Sequence, residues 1–122
     1  MKSLTIKEIE FTAFQIAQEH LSFNEPIPDF STRFPNILES CVAMPFIKYK
    51  NKDLYKGLIG KAAILLYLMV KNHPFQNGNK RIALTAMLVY LAKNGKWLNA
   101  NDSELYDITI WVASSPAVTK DA

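Results

Sequence analysis

The sequence predicts an all-α protein, a compact helical bundle with a short extended flap before its central helix. Three observations predict it. The runs from Asp53 to about Lys71 and from Arg81 to Lys93 are apolar nearly all round, as helices in the middle of a bundle are. Thr5-Ile6-Lys7-Glu8 and Asn101-Asp102-Ser103-Glu104 read as helix-opening caps. Strand-forming types gather at Phe46, Ile47 and Tyr49, inside a candidate flap from Phe46 to Asn51.

The elements follow in order. After the Thr5 cap, Ile6, Ile9, Ala13, Ile16 and Ala17 keep helical spacing to about His20. Phe23 to Pro35 holds Pro26, Pro28 and Pro35 and reads as an irregular connection. A shorter helix covers Asn36 to Ala43 and stops before Pro45. The two long helices come next, and Asn94-Gly95 ends the second. The Asn101 cap opens a last helix running through about Ala113. No repeat, low-complexity stretch or linker interrupts residues 1–122, which form one domain. The tail from Pro116 to Ala122 is read as disordered or as ordering on a partner.

Composition narrows the function classes. At 122 residues and 49% hydrophobic, the chain can bury a real core. The single cysteine, Cys41, lies in an apolar stretch, so the sequence predicts a buried, inert thiol and no disulfide framework. The N-terminus lacks a secretory apolar core, and the longest apolar run, Ala62 to Val70, falls short of the roughly 20 residues a span needs. The expected location is the cytoplasm, without membrane contact. A net charge of +3 is too mild to argue for nucleic acid. Arg33 and Arg81 are the only arginines, which weakens any case for sequence-specific base reading. Lys48, Lys50, Lys52 and Lys56 cluster before the central helix, as a solvated loop or as a patch steering an acidic partner or nucleotide.

The chemistry concentrates in His73-Pro74-Phe75-Gln76-Asn77-Gly78-Asn79-Lys80-Arg81. Gly78 and Asn79 tolerate left-handed backbone and can turn N–H groups toward one point. The helix beginning at Arg81 favours an anion at that same point through its N-terminal N–H groups and dipole. Lys80 and Arg81 add positive charge, and an arginine can hold a phosphate bidentately. His73 is the one nearby residue of a type that takes a proton near neutral pH. A base beside a phosphate cradle suits group transfer from a nucleotide. Phe75 is expected as a core anchor that pins the loop, and Pro74 as the setter of its start. His20 reads as a helix-end or surface histidine, and Met69 and Met87 as core filler. Trp97 and Trp111 close the bundle or face a partner. Asp29, Glu39, Asp53 and Asp102 show no metal-ligand spacing, and Glu39 is either a helix-face charge or a structural contact.

This segment resembles the signature of the Fic/death-on-curing family, written H-x-F-x-(D/E)-(G/A)-N-(K/G)-R, at His73, Phe75, Gly78, Asn79 and Arg81. Asn36-Ile37-Leu38-Glu39-Ser40 followed by Pro45 is similar to a segment upstream of the motif in death-on-curing proteins. Asp53 to Tyr67 is similar to their helix before it. The likeness extends from Met1 to about Ser115. Lys80 stands where adenylylating members usually carry Gly, which is the death-on-curing pattern.

The resemblance implies a Fic-type bundle and a toxin of a toxin–antitoxin system. Such an enzyme transfers phosphate from a nucleoside triphosphate, such as ATP, to a hydroxyl of a target protein, a translation elongation factor. His73, Lys80 and Arg81 are then the catalytic residues. Asn77, Gly78, Asn79, Lys80 and Arg81 hold the nucleotide, and Mg²⁺ bridges its phosphates. Adenylylation is the alternative transfer. One departure bears on both: Asn77 replaces the usual Asp or Glu, so it can serve only as a weak or indirect metal ligand. A non-catalytic Fic-fold binding module is therefore a further alternative. Family members are commonly restrained by a glutamate that reaches the motif arginine, here Arg81. No Ser or Thr in this chain has a Glu four residues on, the pattern of a built-in inhibitory helix, so a separate antitoxin chain is expected.

Overall fold

Thr5 opens the first helix as the capping pattern predicts. Its side chain accepts from Glu8 N–H, and the Glu8 carboxylate accepts from Thr5 N–H. Helix α1 is α-helical over Ile6–Glu8, π-helical over Ile9–Phe14 and α-helical again at Gln15 and Ile16, where one continuous α-helix is predicted from sequence. The Thr12 hydroxyl donates back to Glu8 O, a side-chain bond that competes with the regular ladder at that point. Ile9 is buried, whereas Phe11 and Ile16 are exposed, so the predicted apolar face is only partly used.

The structure, a computed structural model, describes residues 2–16 and 29–96 with positions 104, 107, 109, 110, 112 and 114. The expectations for His20, Trp97, the Asn101 cap, Trp111, the tail 116–122 and most of the proline-rich connection lie outside these residues. Glu104, Asp107, Thr109, Ile110, Val112 and Ser114 are all helical, in keeping with a last helix.

A 3-10 turn, Phe30–Thr32, leads into α2 (Pro35–Ala43). Pro35 belongs to this helix rather than to the connection before it. As its first residue it loses no bond, because that N–H has no intrahelical acceptor. Pro45 then sits in a second 3-10 turn, Met44–Phe46. The predicted flap is a hairpin displaced toward the C-terminus: β1 (Lys48–Tyr49) pairs antiparallel with β2 (Lys52–Asp53), Lys48 opposite Asp53 and Tyr49 opposite Lys52. Lys50 and Asn51 both hold positive φ (51° and 64°), the two left-handed positions of a tight hairpin turn. Phe46 lies in the 3-10 turn and Ile47 in the link, so neither is strand.

Helix α3 (Gly57–Asn72) begins four residues later than predicted, because Asp53 is committed to β2 and Gly57 holds φ +74°. Helix α4 (Asn79–Lys93) begins two residues earlier, directly after Gly78. These two helices pack together as the centre of the fold. Leu65, Leu68, Met69 and Val70 of α3 are buried with Ile82, Ala83, Leu84 and Ala86 of α4. Each large aliphatic side chain so enclosed contributes roughly 1.5–3 kcal/mol. Leu38 and Cys41 of α2 and Ile9 of α1 join this core. Burial pushes the Cys41 thiol up to about 11, in accord with the inert reading. Among the described residues the fold is helical with one small sheet, and its α3–α4 connection carries the His73 loop.

The N-terminus is tied across this core. Lys93 Nζ donates to Glu8 Oε1 (2.6 Å) and to Ser3 O (2.8 Å). Asn94 exchanges two bonds with Lys2, accepting at 2.8 Å and donating at 2.9 Å. Residues 2–8 are thereby fixed to the C-terminal end of α4. Among the described residues, no helix is long and apolar enough to cross a membrane.

Candidate active site

The six residues from His73 to Gly78 reverse the chain between α3 and α4, and both ends of the reversal are left-handed. His73 has φ 52° and Gly78 φ 72°. Glycine adopts this region without strain, whereas His73 holds it at a cost a β-carbon imposes. Asn79, expected to share the left-handed turn with Gly78, is instead the first helical residue of α4. Its side chain has another task.

Asn79 Oδ1 accepts from Phe75 N–H at 2.9 Å, and Asn79 Nδ2 donates to Phe75 O at 2.8 Å. One buried amide thus satisfies both polar groups of the Phe75 residue, closing the loop as a second strand would. Nδ2 also lies 3.3 Å from Nδ1 of His73. The Phe75 contacts fix which end of the amide is nitrogen, so His73 faces a donor. In the neutral ring Nδ1 is therefore the acceptor, and Nε2 carries the proton. Asn79 is a loop clamp and a ring-orienting group, a role that residue type and spacing alone did not single out.

Phe75 is buried, as expected of an anchor, and its ring lies 5.8 Å from that of Phe30. Phe34 N–H donates to Pro74 O at 2.8 Å, a second tie from the segment before α2 to the loop. His73, Gln76 and Asn77 remain exposed on the outer side. Asn77 Oδ1 accepts from Gly78 N–H at 2.9 Å.

Lys80 and Arg81 both occupy the first turn of α4, where the sequence placed only Arg81, so two cations stand at its positive end. Gly78 is the N-cap and supplies no side chain to cap the helix. Arg81 is buried at 7% exposure, and Lys80 is half-buried. The structure thus brings together His73, Asn77, Gly78, Asn79, Lys80 and Arg81 on one loop and one helix start. Glu39 stands exposed on α2, a helix-face charge. An open groove of about 410 Å³, lined by Asn36, Ile37, Ser40 and Asn72, ends one residue before His73.

Lys61 escaped the sequence reading, which saw only the lysines of the flap. It is 2% exposed, and its Nζ donates to Asp53 Oδ2 at 3.1 Å and to Tyr55 O. The same ammonium lies 5.5 Å from the centroid of the Phe46 ring. The hairpin is anchored to α3 through this one buried cation. Lys48, Lys50, Lys52 and Lys56 are exposed beside Tyr49 and Leu54.

The model of the Fic/DOC family matches residues 3–91, which include the whole loop and most of α4. The chain is 36% identical over 73 residues to Toxin Doc of Mycolicibacterium smegmatis, a match covering 60% of this chain and 56% of that one. It therefore spans about half the length of this curated relative. No solved structure matches significantly. The family match spans well over half of the sequence and contains the His73–Arg81 segment: the chain belongs to the Fic/DOC family.

Proposed function

We propose that this protein is a nucleotide-dependent transferase and the toxin of a toxin–antitoxin pair. It moves the γ-phosphate of a nucleoside triphosphate, ATP in the simplest case, to a hydroxyl of a target protein, a translation elongation factor. The observation that carries this reading is the closure of His73 and the start of α4 into one unit through Asn79. A base and a cationic helix N-terminus are held a single loop apart. Membership of the Fic/DOC family, the likeness to Toxin Doc and Lys80 in the motif support it.

The phosphates lie at the N-terminus of α4, near Gly78 and the first-turn amides, with Lys80 and Arg81 offsetting their charge. The acceptor hydroxyl approaches His73. As its oxygen bonds to the γ-phosphorus, the bond from that phosphorus to the β–γ bridging oxygen breaks and the nucleoside diphosphate leaves. The hydroxyl proton passes to the ring lone pair on Nδ1, where the incoming group supplants the long 3.3 Å contact with Asn79.

A magnesium ion commonly accompanies such a nucleotide and neutralises phosphate charge. The residues present do not fit an ion held by the protein. Asn77 offers a neutral carbonyl oxygen already engaged by Gly78 N–H, and the described residues contain no group of three or more His, Cys, Asp or Glu able to hold a metal. An ion here would arrive with the nucleotide, held by phosphate oxygens and water.

The test is transfer into bacterial lysate protein from ATP labelled at the γ- or the α-phosphate, without antitoxin. Label from the γ-position alone is expected. Label from the α-position alone assigns adenylylation instead, and no label from either leaves a binding module.

A further inference from the structure

We propose that Arg33 is a positioning residue for the His73 loop, acting through the rings of Phe30 and Phe75. It deepens the transferase reading and rests on it for its catalytic consequence, though not for its structural one. Arg33 is one of two arginines in the chain, and the ion pairs among the described residues, Lys61–Asp53 and Lys93–Glu8, do not include it. Its guanidinium carbon lies 4.4 Å from the centroid of the Phe30 ring, and Nη1 donates to Phe30 O at 3.2 Å. Its Nε is buried without a hydrogen-bond partner, a desolvation cost that an exposed cation would avoid.

The contacts run on without a gap. Asp29 caps the turn that presents Phe30, accepting from Ser31 N–H at 2.9 Å. The Phe30 ring meets Phe75 at 5.8 Å with the planes tilted by 49°. Phe75 holds the Asn79 amide through both of its backbone groups, and that amide faces Nδ1 of His73. Arg33 is followed by Phe34, whose N–H fastens the same loop at Pro74 O. The guanidinium therefore closes a stack whose far end orients the base. Arginine suits this place better than lysine, because its flat face covers a ring while its edge donates to a carbonyl.

The test uses Arg33→Met, which keeps the length of the stem and loses the cationic plane, and Arg33→Lys as the conservative rescue. In ¹⁵N-labelled protein, Arg33→Met should shift the Asn79 side-chain amide and the His73 ring nitrogens and speed exchange of that amide. Core amides of α3 and α4 should stay in place. In transfer assays kcat should fall about 10- to 100-fold, the scale of a misplaced base, with KM for ATP unchanged. Arg33→Lys should recover part of both effects. A folded Arg33→Met protein with wild-type Asn79 and His73 signals would overturn the proposal. If Arg33→Met fails to fold, Phe30→Leu takes its place, with the same shifts expected and their absence equally decisive. Altered signals in a protein whose wild type shows no transfer would sink the transferase reading and leave the positioning role standing.

Discussion

Asn79 places its side-chain nitrogen 3.3 Å from Nδ1 of His73, across the loop that separates α3 from α4. The same amide bonds both backbone groups of Phe75, so one side chain sets the loop's shape and the ring's tautomer together. Replacing it with alanine leaves the buried Phe75 N–H and C=O without these partners. Asn79→Ala should lose about 1–3 kcal/mol of stability. The ¹⁵N signals of the His73 ring should change from an Nε2–H pattern to a tautomer mixture. Thermal unfolding and ring ¹⁵N spectra check the two effects, and an unchanged ring spectrum would separate Asn79 from the base.

Asp53 and Lys61 form the anchor of the hairpin, with the lysine buried and the aspartate side chain 41% exposed. Removing the carboxylate leaves the buried ammonium with Tyr55 O as its hydrogen-bond acceptor and the Phe46 ring beside it among the described residues. Asp53→Ala should destabilise by roughly 1–3 kcal/mol, between the values for an exposed and a fully buried pair because one partner is wetted. Faster hydrogen exchange of Leu54 N–H, which donates to Ile47 O across the hairpin, should accompany the loss. Equal protection in mutant and wild type would show that the hairpin needs no such anchor.

The Glu8 carboxyl is held below its usual range, first by the bond from Lys93 and then by the Thr5 bonds, with partial burial opposing. A depressed folded-state value favours the ionised form. Its contribution is therefore complete above the unfolded value of 4.5 and is lost as pH falls through the folded value. Glu8→Gln should flatten the acid limb of the stability curve below pH 4.5 while leaving the α4 core intact. Chemical denaturation from pH 3 to 7, roughly the span in which carboxylates titrate, checks this. An unchanged acid slope would contradict it.

Much of the fold was legible because the signals were local. The Thr5 cap, the apolar runs of α3 and α4 and the stop at Asn94-Gly95 each depend on neighbours within a few residues. What failed depended on distant partners. Asp53 reads as a helix opener by type, but Lys61, eight residues on, draws it into the hairpin anchor. Asn79 reads as a turn residue beside Gly78, yet its bonds to Phe75 are served from a helical position. The motif marked the candidate site as one short segment, which the structure forms into the α3–α4 loop and the start of α4. The stack from Arg33 to Phe75 was invisible, since Phe30 and Phe75 are 45 positions apart and nothing in either neighbourhood announces the contact.

Asn77 offers a neutral oxygen where a carboxylate would bring charge. Asn77→Asp should tighten magnesium binding in the presence of ATP by about tenfold or more, since hard cations favour anionic oxygen. Titration calorimetry with and without nucleotide measures the change. Equal affinity in both proteins would place the ion away from this side chain.

The central claim is that His73 takes the acceptor's proton while the start of α4 holds the nucleotide. The most direct measurement is the single-turnover rate of phosphate transfer by His73→Ala against wild type, with ATP affinity measured on the same samples. The account predicts a fall of about 10²- to 10⁴-fold in rate at unchanged affinity and an intact fold. Transfer at the wild-type rate would contradict it.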